Sequence, residues 1–188
     1  MVECGTGLST VVICKAIEQL KSIDSSYSPT FVSLESEEFY LQHAQDLLPD
    51  KYKFYVEIRH SELVEDVYSM FRGIRYKDVP AGPYDFIFVD GPDYKTDKGG
   101  PSFCFDLIKY IENSTAPVYA VIDTRVSTVY VLQKLLGKKL VSYNGISRVG
   151  SVLGAKKSDL LSLTEPPSAH FVQKLTNGTL DLKFKKTV

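Results

Sequence analysis

The sequence lacks the features that mark several classes of protein. Its three cysteines form no C-x-x-C pair and are odd in number, so they fit no disulfide framework. No run of about 18 apolar residues occurs, and the first residues have neither the basic region nor the apolar core of a signal peptide. These absences predict a protein of a reducing compartment, the cytoplasm, with no transmembrane helix.

A strong excess of charge of either sign is also lacking. The net charge is -1 over 188 residues, whereas domains that bind nucleic acid through its phosphates are usually basic. No internal repeat or low-complexity segment is present, and the length is that of one domain. We therefore expect a single domain over residues 1–188, with neither a nucleic acid nor a membrane as its partner.

What the sequence does contain is a series of four short apolar runs, each followed by an acid. The runs are residues 1–2, 31–34, 86–89 and 118–122, and the acids are Glu3, Glu35, Asp90 and Asp123. Nearly continuous apolar strands are typical of a parallel sheet that is buried on both faces. Because the carboxyl ends of parallel strands meet at one edge of the sheet, the four acids are predicted to gather there.

Amphipathic helical patterns alternate with these strands. Apolar residues recur three and four apart in residues 12–23, 39–48, 63–71, 107–111 and 129–136, as a buried helix face requires. A further strand is predicted at residues 53–58. Strands that alternate with helices predict an α/β fold with a doubly wound, mostly parallel sheet.

The end of the chain follows a different pattern. Short strands are predicted at residues 140–143 and 151–155, joined by a loop that contains glycine. Asn177-Gly178 is a strong signal for a type I′ turn. The sequence therefore predicts antiparallel strands here, with a core over residues 1–155 and a C-terminal hairpin over residues 168–186.

The glycines after the first strand indicate a ligand that approaches the backbone closely. Gly5 and Gly7 stand in ECGTGLST, between a strand and a helix. A P-loop requires a Gly-Lys-Ser or Gly-Lys-Thr sequence, which is missing here. A dinucleotide site prefers a third glycine where Thr10 stands. A third kind of site has an acid before Gly-x-Gly and binds no pyrophosphate. In such a site Glu3 would face a cationic group of the ligand, whereas a dinucleotide site has no use for this acid.

Two other strand ends carry residues suited to a nucleoside. Glu35 follows the second strand, where an acid can accept hydrogen bonds from both hydroxyls of a ribose. Asp90 follows the strand in YDFIFVDGPDY, and Gly91-Pro92 then forces the chain to turn. Since ligands of open α/β sheets bind beyond the carboxyl ends of the strands, both acids are candidates for a binding site.

Together these motifs resemble the class I S-adenosylmethionine-dependent methyltransferases, in particular a subgroup with E-x-G-x-G-x-S-T, S-L-E and V-D-G-P motifs. The matching segments are residues 3–10, 33–35 and 89–92, followed by Asp123-Thr124-Arg125, an acid with Arg close behind it. The resemblance covers roughly residues 1–155. It implies a Rossmann-like methyltransferase fold, S-adenosyl-L-methionine as the cofactor, and O-methylation of a small-molecule acceptor.

The resemblance also implies roles around the first two strands. Glu3 would bind the methionine amino group, directly or through water. The backbone from Gly5 through Thr6 to Gly7 would pass under the cofactor. The remaining contacts implied here are Ser9 and Thr10, which would cap the first helix near the methionine carboxylate, and Glu35 with Ser36, which would hold the ribose.

Further roles follow from the later strands. His60 and Ser61 come after the third strand, where the family contacts adenine. Asp90 and Gly91 would face the methionine part of the cofactor and the methyl group that is transferred. Asp90 and Asp123 are the implied catalytic residues.

A divalent metal is not expected, and two other interpretations stay open. Related metal-dependent enzymes carry an acidic or amide pair after the fifth strand, whereas Thr124 follows Asp123 here. The first alternative is a nicotinamide-dependent oxidoreductase, which Thr10 and Glu3 disfavour. The second is a truncated or non-catalytic S-adenosylmethionine-binding module, which the lack of an obvious general base favours.

The first strand begins unusually close to its acid. It can start no earlier than Met1, two residues before Glu3, whereas strands usually run about five or six residues. In the family, a helical segment comes before this strand and covers the cofactor. Without that cover, the apolar surface along the first strand and helix is expected to be exposed, which predicts self-association into a homo-oligomer.

Overall fold

The structure is a computed structural model that describes residues 1–69, 71–93 and 102–160. The strands are β1 (Val2–Cys4), β2 (Val32–Glu35), β3 (Glu57–His60), β4 (Leu63–Tyr68), β5 (Phe71–Tyr76), β6 (Phe86–Val89), β7 (Val118–Asp123), β8 (Val141–Asn144) and β9 (Val149–Ala155). The helices are α1 (Leu8–Ile23), α2 (Glu38–Leu47), α3 (Asp106–Asn113) and α4 (Val126–Leu136). The hairpin predicted at residues 168–186 lies outside the described residues.

Seven of these strands form one mixed sheet in the order β3-β2-β1-β6-β7-β9-β8. The five strands β3, β2, β1, β6 and β7 are parallel to one another, while β9 is antiparallel to both β7 and β8. The predicted α/β class with a mostly parallel sheet is therefore confirmed, and so are the two short strands near the end of the described chain. The strand order reverses between β1 and β6, the position where open α/β sheets bind ligands.

Two hydrophobic clusters cover the two faces of this sheet. Val2 and Cys4 of β1 belong to the larger cluster, together with residues of α3 and α4. Cys14 and Ile17 of α1 belong to the smaller cluster. Because side chains alternate along a strand, Glu3 points away from the larger cluster and toward α1. This alternation decides the environment of the first strand-end acid.

The helix predicted around residues 63–71 is wrong, because the chain forms an antiparallel hairpin of β4 and β5 there. Both strands are rich in Val, Ile, Tyr and Phe, which favour strands. Ion pairs link the two strands, one between Arg72 and Glu65 and one between Arg75 and Asp66. Gly73 lies so close to Phe103 that a Cβ there would come within 2.8 Å of it. The packing of the hairpin against Phe103, which lies just before α3, therefore overrides the helical spacing of the apolar residues.

The strand predicted at residues 53–58 begins later than expected. A 3-10 turn occupies Asp50–Tyr52, and β3 starts only at Glu57. The amide of Tyr55 donates to the carbonyl of Tyr52 at 2.9 Å, which continues the turn. Tyr52 is buried in the smaller cluster. The aromatic residues of this segment thus pack in a turn instead of alternating along a strand.

The buried face of α1 differs from the predicted one. The periodicity predicts a face that includes Val12 and Ile23, but these side chains are 61% and 83% exposed. The buried residues are Thr10, Cys14 and Ile17, because α1 is turned so that Thr10 reaches Glu3. The exposed apolar residues of α1 agree with the expectation of an uncovered surface along this helix, whereas the expectation is wrong for β1, whose residues are all buried. Self-association stays a prediction.

No helix within the three described ranges is long and apolar enough to cross a membrane.

Candidate functional site

The loop between β1 and α1 is packed tightly against the end of β6. Gly5 has a φ of 94°, and a Cβ on it would come within 2.6 Å of the Gly91 amide nitrogen. Only glycine fits at this contact. Gly7 is different, because a Cβ there would meet no atom within 4 Å. The backbone at Gly7 therefore borders open space into which a ligand could approach.

Glu3 lies beneath this loop and is fully buried. The hydroxyl groups of Thr10 and Ser33 each donate to its Oε2 atom at 2.6 Å. Thr10 Oγ1 also accepts from the amide of Gly7 at 3.0 Å, which caps α1. Burial raises the pKa of Glu3, against the hydrogen bonds from hydroxyl groups, which lower it. Glu3 thus joins β1, β2 and α1 from inside the protein.

Glu35 is the last residue of β2, and its side chain binds the backbone of the turn that leads into α2. Its Oε1 atom accepts from the amides of Ser36 at 2.8 Å and Glu37 at 3.0 Å. These bonds hold the turn between β2 and α2, since both amides lie before Glu38, the first residue of the helix. Its Oε2 atom has no hydrogen-bond partner among the described residues, and the side chain lines a cavity. One carboxylate group can therefore hold the turn before α2 and still bind a ligand.

Asp90 and Arg125 link the ends of β6 and β7. The Asp90 amide donates to the Cys4 carbonyl at 2.8 Å, which holds the turn against β1. The Arg125 guanidinium donates to the Asp90 carbonyl and lies 3.9 Å from its Oδ1 atom. Burial raises the pKa of Asp90, Arg125 lowers it, and Asp123 raises it. The Asp90 side chain is 43% exposed, so it can reach a ligand.

These elements surround a cavity of about 420 Å³ at the point where the strand order reverses. Six of the predicted site residues line it, namely Gly5, Thr6, Glu35, Ser36, Asp90 and Gly91. Its volume lies within the range of roughly 300–1,000 Å³ that is usual for small-molecule sites. The structure thus brings the ends of β1, β2 and β6 together around one space.

Other predicted residues lie at the same edge of the sheet but are not among the described residues that line the cavity. Glu3 and Thr10 are buried beneath the loop, and Ser61 is buried and accepts from the Asp78 amide. His60 is exposed, and its Nε2 atom lies 2.9 Å from the Ser36 carbonyl oxygen. The others are Gly7, Ser9 and Asp123, the last of which is half-buried at the end of β7.

Seven of the described lining residues are not predicted as site residues from the sequence, and they are Glu37, Tyr40, Leu63, Tyr76, Pro92, Asp93 and Arg125. Arg125 belongs to the Asp123-Thr124-Arg125 motif, but the motif by itself predicts no contact for it. Leu63 and Tyr76 face each other across β4 and β5, so no motif could reveal them once the hairpin was predicted as a helix. Asp93 follows the V-D-G-P motif directly, which was the available signal.

A larger cavity of about 800 Å³ lies at the opposite edge of the sheet. It is lined by residues at or just before the amino ends of strands, including Met1, Asp85 and Phe86. None of the strand-end acids lines it among the described residues. Because ligands of open α/β sheets bind at the carboxyl ends, the smaller cavity is the better candidate site.

No group of three or more His, Cys, Asp or Glu side chains in the described ranges is arranged to hold a metal ion.

Comparison with protein-family models, with curated proteins and with solved structures found no match to this chain. A function can therefore be inferred only from its own residues and their geometry.

Proposed function

We propose that the protein is an S-adenosylmethionine-dependent methyltransferase that methylates an oxygen of a small molecule. One observation carries the proposal: Glu35 and Asp90, which end β2 and β6, line a single cavity with the Gly5–Thr6 backbone. This cavity lies where the strand order reverses, the position expected for a nucleoside-containing ligand. The resemblance to the Rossmann-like methyltransferases rests on the same residues.

The shape and charge of the cavity suit this cofactor. The Glu35 Oε2 atom is available to ribose hydroxyl groups, since only Oε1 accepts from the Ser36 and Glu37 amides. The open space above Gly7 allows the methionine part to approach the backbone. Glu35, Asp90 and Asp93 place carboxylates around the cavity, which favours a cationic ligand. Glu3 is too deeply buried to contact the ligand directly and instead supports the loop.

Bound S-adenosylmethionine would supply a methyl group on a positively charged sulfur atom. The protein's part is to orient the acceptor, exclude water and take up a proton. Asp90 is the best-placed base, because it reaches the cavity and burial raises its pKa, which makes a carboxylate a better proton acceptor. Arg125 holds Asp90 in place, and Asp123 acts on it only through its charge.

The oxidoreductase alternative receives less support. A dinucleotide site needs a third glycine so that helix and strand can pack closely next to a pyrophosphate. Here Thr10 fills that position, and its hydroxyl group bridges Glu3 and the Gly7 amide. Replacing Thr10 with glycine would remove these bonds and leave the buried Glu3 carboxylate with fewer hydrogen-bond donors.

Calorimetric titration with S-adenosylhomocysteine and with NADH tests the cofactor. We expect S-adenosylhomocysteine to bind in the micromolar range, on the order of -8 kcal/mol, and NADH to give no heat. Binding of NADH without binding of S-adenosylhomocysteine would refute the proposal.

A turnover assay separates an enzyme from a non-catalytic binding module. With a panel of hydroxylated small molecules, we expect methyl transfer that Asp90→Asn reduces by about 100-fold, the range of a general base. Because Asp90 lines the cofactor cavity, the variant should bind S-adenosylhomocysteine more weakly, but with a much smaller loss than the loss of turnover. If the wild type binds the cofactor but methylates no member of the panel, the result favours a non-catalytic binding module over an enzyme.

A further inference from the structure

Strand β5 is held along both of its edges. One edge pairs with β4, and the other pairs with the segment just before α3. In this second contact the Ile74 amide donates to the Phe103 carbonyl at 2.9 Å, and the Phe105 amide donates to the Ile74 carbonyl at 2.8 Å. These two bonds are the beginning of a parallel ladder.

The next bond of such a ladder would run from the Tyr76 amide to the Phe105 carbonyl. That carbonyl is already engaged, because α3 begins here and the Ile108 amide donates to it at 3.0 Å. The Tyr76 amide donates instead to Oδ1 of Asp106 at 3.0 Å. A side-chain carboxylate thus takes the place of the missing backbone acceptor at the end of β5.

Tyr76 is the residue through which this bond reaches the candidate site. It lines the cavity together with its cross-strand partner Leu63. Its hydroxyl oxygen lies only 2.8 Å from the position that a Cβ on Gly91 would occupy. The wall formed by the hairpin therefore touches the turn after β6, and its position depends on the end of β5.

Asp106 holds this position from a fully buried site. Its Oδ2 atom has no hydrogen-bond partner among the described residues. The titratable and charged groups around it are Cys4 from β1, Arg75 and Tyr76 from β5, Cys104 from the preceding segment, and Tyr110 from α3. Burial raises the pKa of Asp106 to about 7, while the bond from the Tyr76 amide and the charge of Arg75 lower it.

We propose that Asp106 is a positioning residue for the cofactor site, which sets the hairpin wall by binding the Tyr76 amide and holds it most firmly when ionised. The proposal rests on the proposed function, because it concerns the same cavity. A charged acceptor forms roughly twice as strong a hydrogen bond as a neutral one. Deprotonation of Asp106 should therefore fix Tyr76 more firmly and improve ligand binding as the pH rises.

The test compares the wild type with Asp106→Asn, which keeps an acceptor oxygen but cannot ionise. Glu112→Gln is the matched control, since it removes a carboxylate from the same helix, where the side chain pairs with Lys109. Affinity for S-adenosylhomocysteine is measured from about pH 6 to about pH 8, the range that brackets an ionisation near neutrality.

We expect wild-type affinity to increase by about threefold to tenfold across this range, as a gain of roughly 1 kcal/mol in the bond would give. Glu112→Gln should follow the wild type, while Asp106→Asn should keep the weaker affinity at every pH. If Asp106→Asn retains the full pH dependence of the wild type, the positioning role is excluded.

A second measurement does not depend on the ligand. In the wild type, the amide resonance of Tyr76 should shift with an inflection near pH 7, and Asp106→Asn should abolish that inflection. A Tyr76 amide that does not respond to pH in the wild type would overturn the proposed contact, whatever the binding data. If the amide responds but S-adenosylhomocysteine gives no heat at any pH, the contact is supported and the methyltransferase proposal is the one that fails.

Discussion

The interior beneath the carboxyl edge of the sheet and the cavity above that edge each contain two acids. In the interior, Glu3 and Asp106 are fully buried, and each accepts hydrogen bonds from the protein. In the cavity, Glu35 and Asp90 line the space that a ligand could occupy. Carboxylates in the interior therefore hold the backbone and side chains around them, whereas carboxylates in the cavity line the candidate site.

The direction of each side chain explains this difference. Glu3 lies within β1, which is central in the sheet, and alternation turns its side chain under α1. Glu35 is the last residue of β2, beyond which the chain turns into α2. Both acids thus lie at or near the carboxyl end of a strand, whereas access to the ligand depends on which elements cover the side chain.

The largest expected effect tests the interior region through pH. The pKa of Asp106 rises from its usual value of 3.8 to about 7 in the folded protein, which is equivalent to at most about 4 kcal/mol. Because this pKa is raised, the contribution to stability is present below about pH 4 and is lost as the pH rises to about 7. Urea unfolding of Asp106→Asn should lack this part of the decrease. Equal pH dependence in both proteins would contradict the prediction.

Glu3→Ala should have the next largest effect. It removes the acceptor for the buried hydroxyl groups of Thr10 and Ser33, at a cost of about 2–3 kcal/mol in the free energy of unfolding. Glu3→Gln, which keeps an acceptor oxygen, should cost less. Urea unfolding at neutral pH measures both. The comparison fails if Glu3→Ala unfolds like the wild type while ligand affinity collapses.

Glu35→Ala should show the opposite balance. Loss of charged acceptors for the ribose should weaken S-adenosylhomocysteine binding by roughly 1.5–3 kcal/mol. Loss of the hydrogen bonds from the Ser36 and Glu37 amides should cost only about 1 kcal/mol of stability, as is typical of such bonds. Calorimetry and urea unfolding of the same sample measure the two effects. An unchanged affinity would remove Glu35 from the site.

The smallest expected effect concerns metals. We expect that activity does not depend strictly on a divalent ion and persists in EDTA, because Thr124 occupies the position of a second ligand after β7. Loss of turnover in EDTA that Mg²⁺ restores would contradict this expectation. It would also make Asp90 and Asp123 metal ligands rather than a base and its neighbour.

Prediction from sequence succeeded where the pattern was local and unambiguous. The strand predicted at residues 86–89 is β6, and the helix predicted to end before Gly137 is α4, whose last residue is Leu136. It failed for residues 63–71, where apolar spacing fits a helix and a strand hairpin equally well. Ion pairs between the strands and the packing of Gly73 against Phe103 decided between them, and neither is visible in a local pattern.

The sequence by itself determined the α/β class, the placement of acids at strand ends and the glycines that allow β1 and β6 to approach. Only the tertiary structure decided that Glu3 is buried, that Glu35 and Asp90 share a cavity, and that Tyr76 and Asp106 support its wall. The physical reason is that hydrophobic periodicity and turn residues act over a few positions along the chain. Burial, hydrogen-bond partners and pKa instead depend on segments about 30 residues apart or more, which meet only in the folded protein.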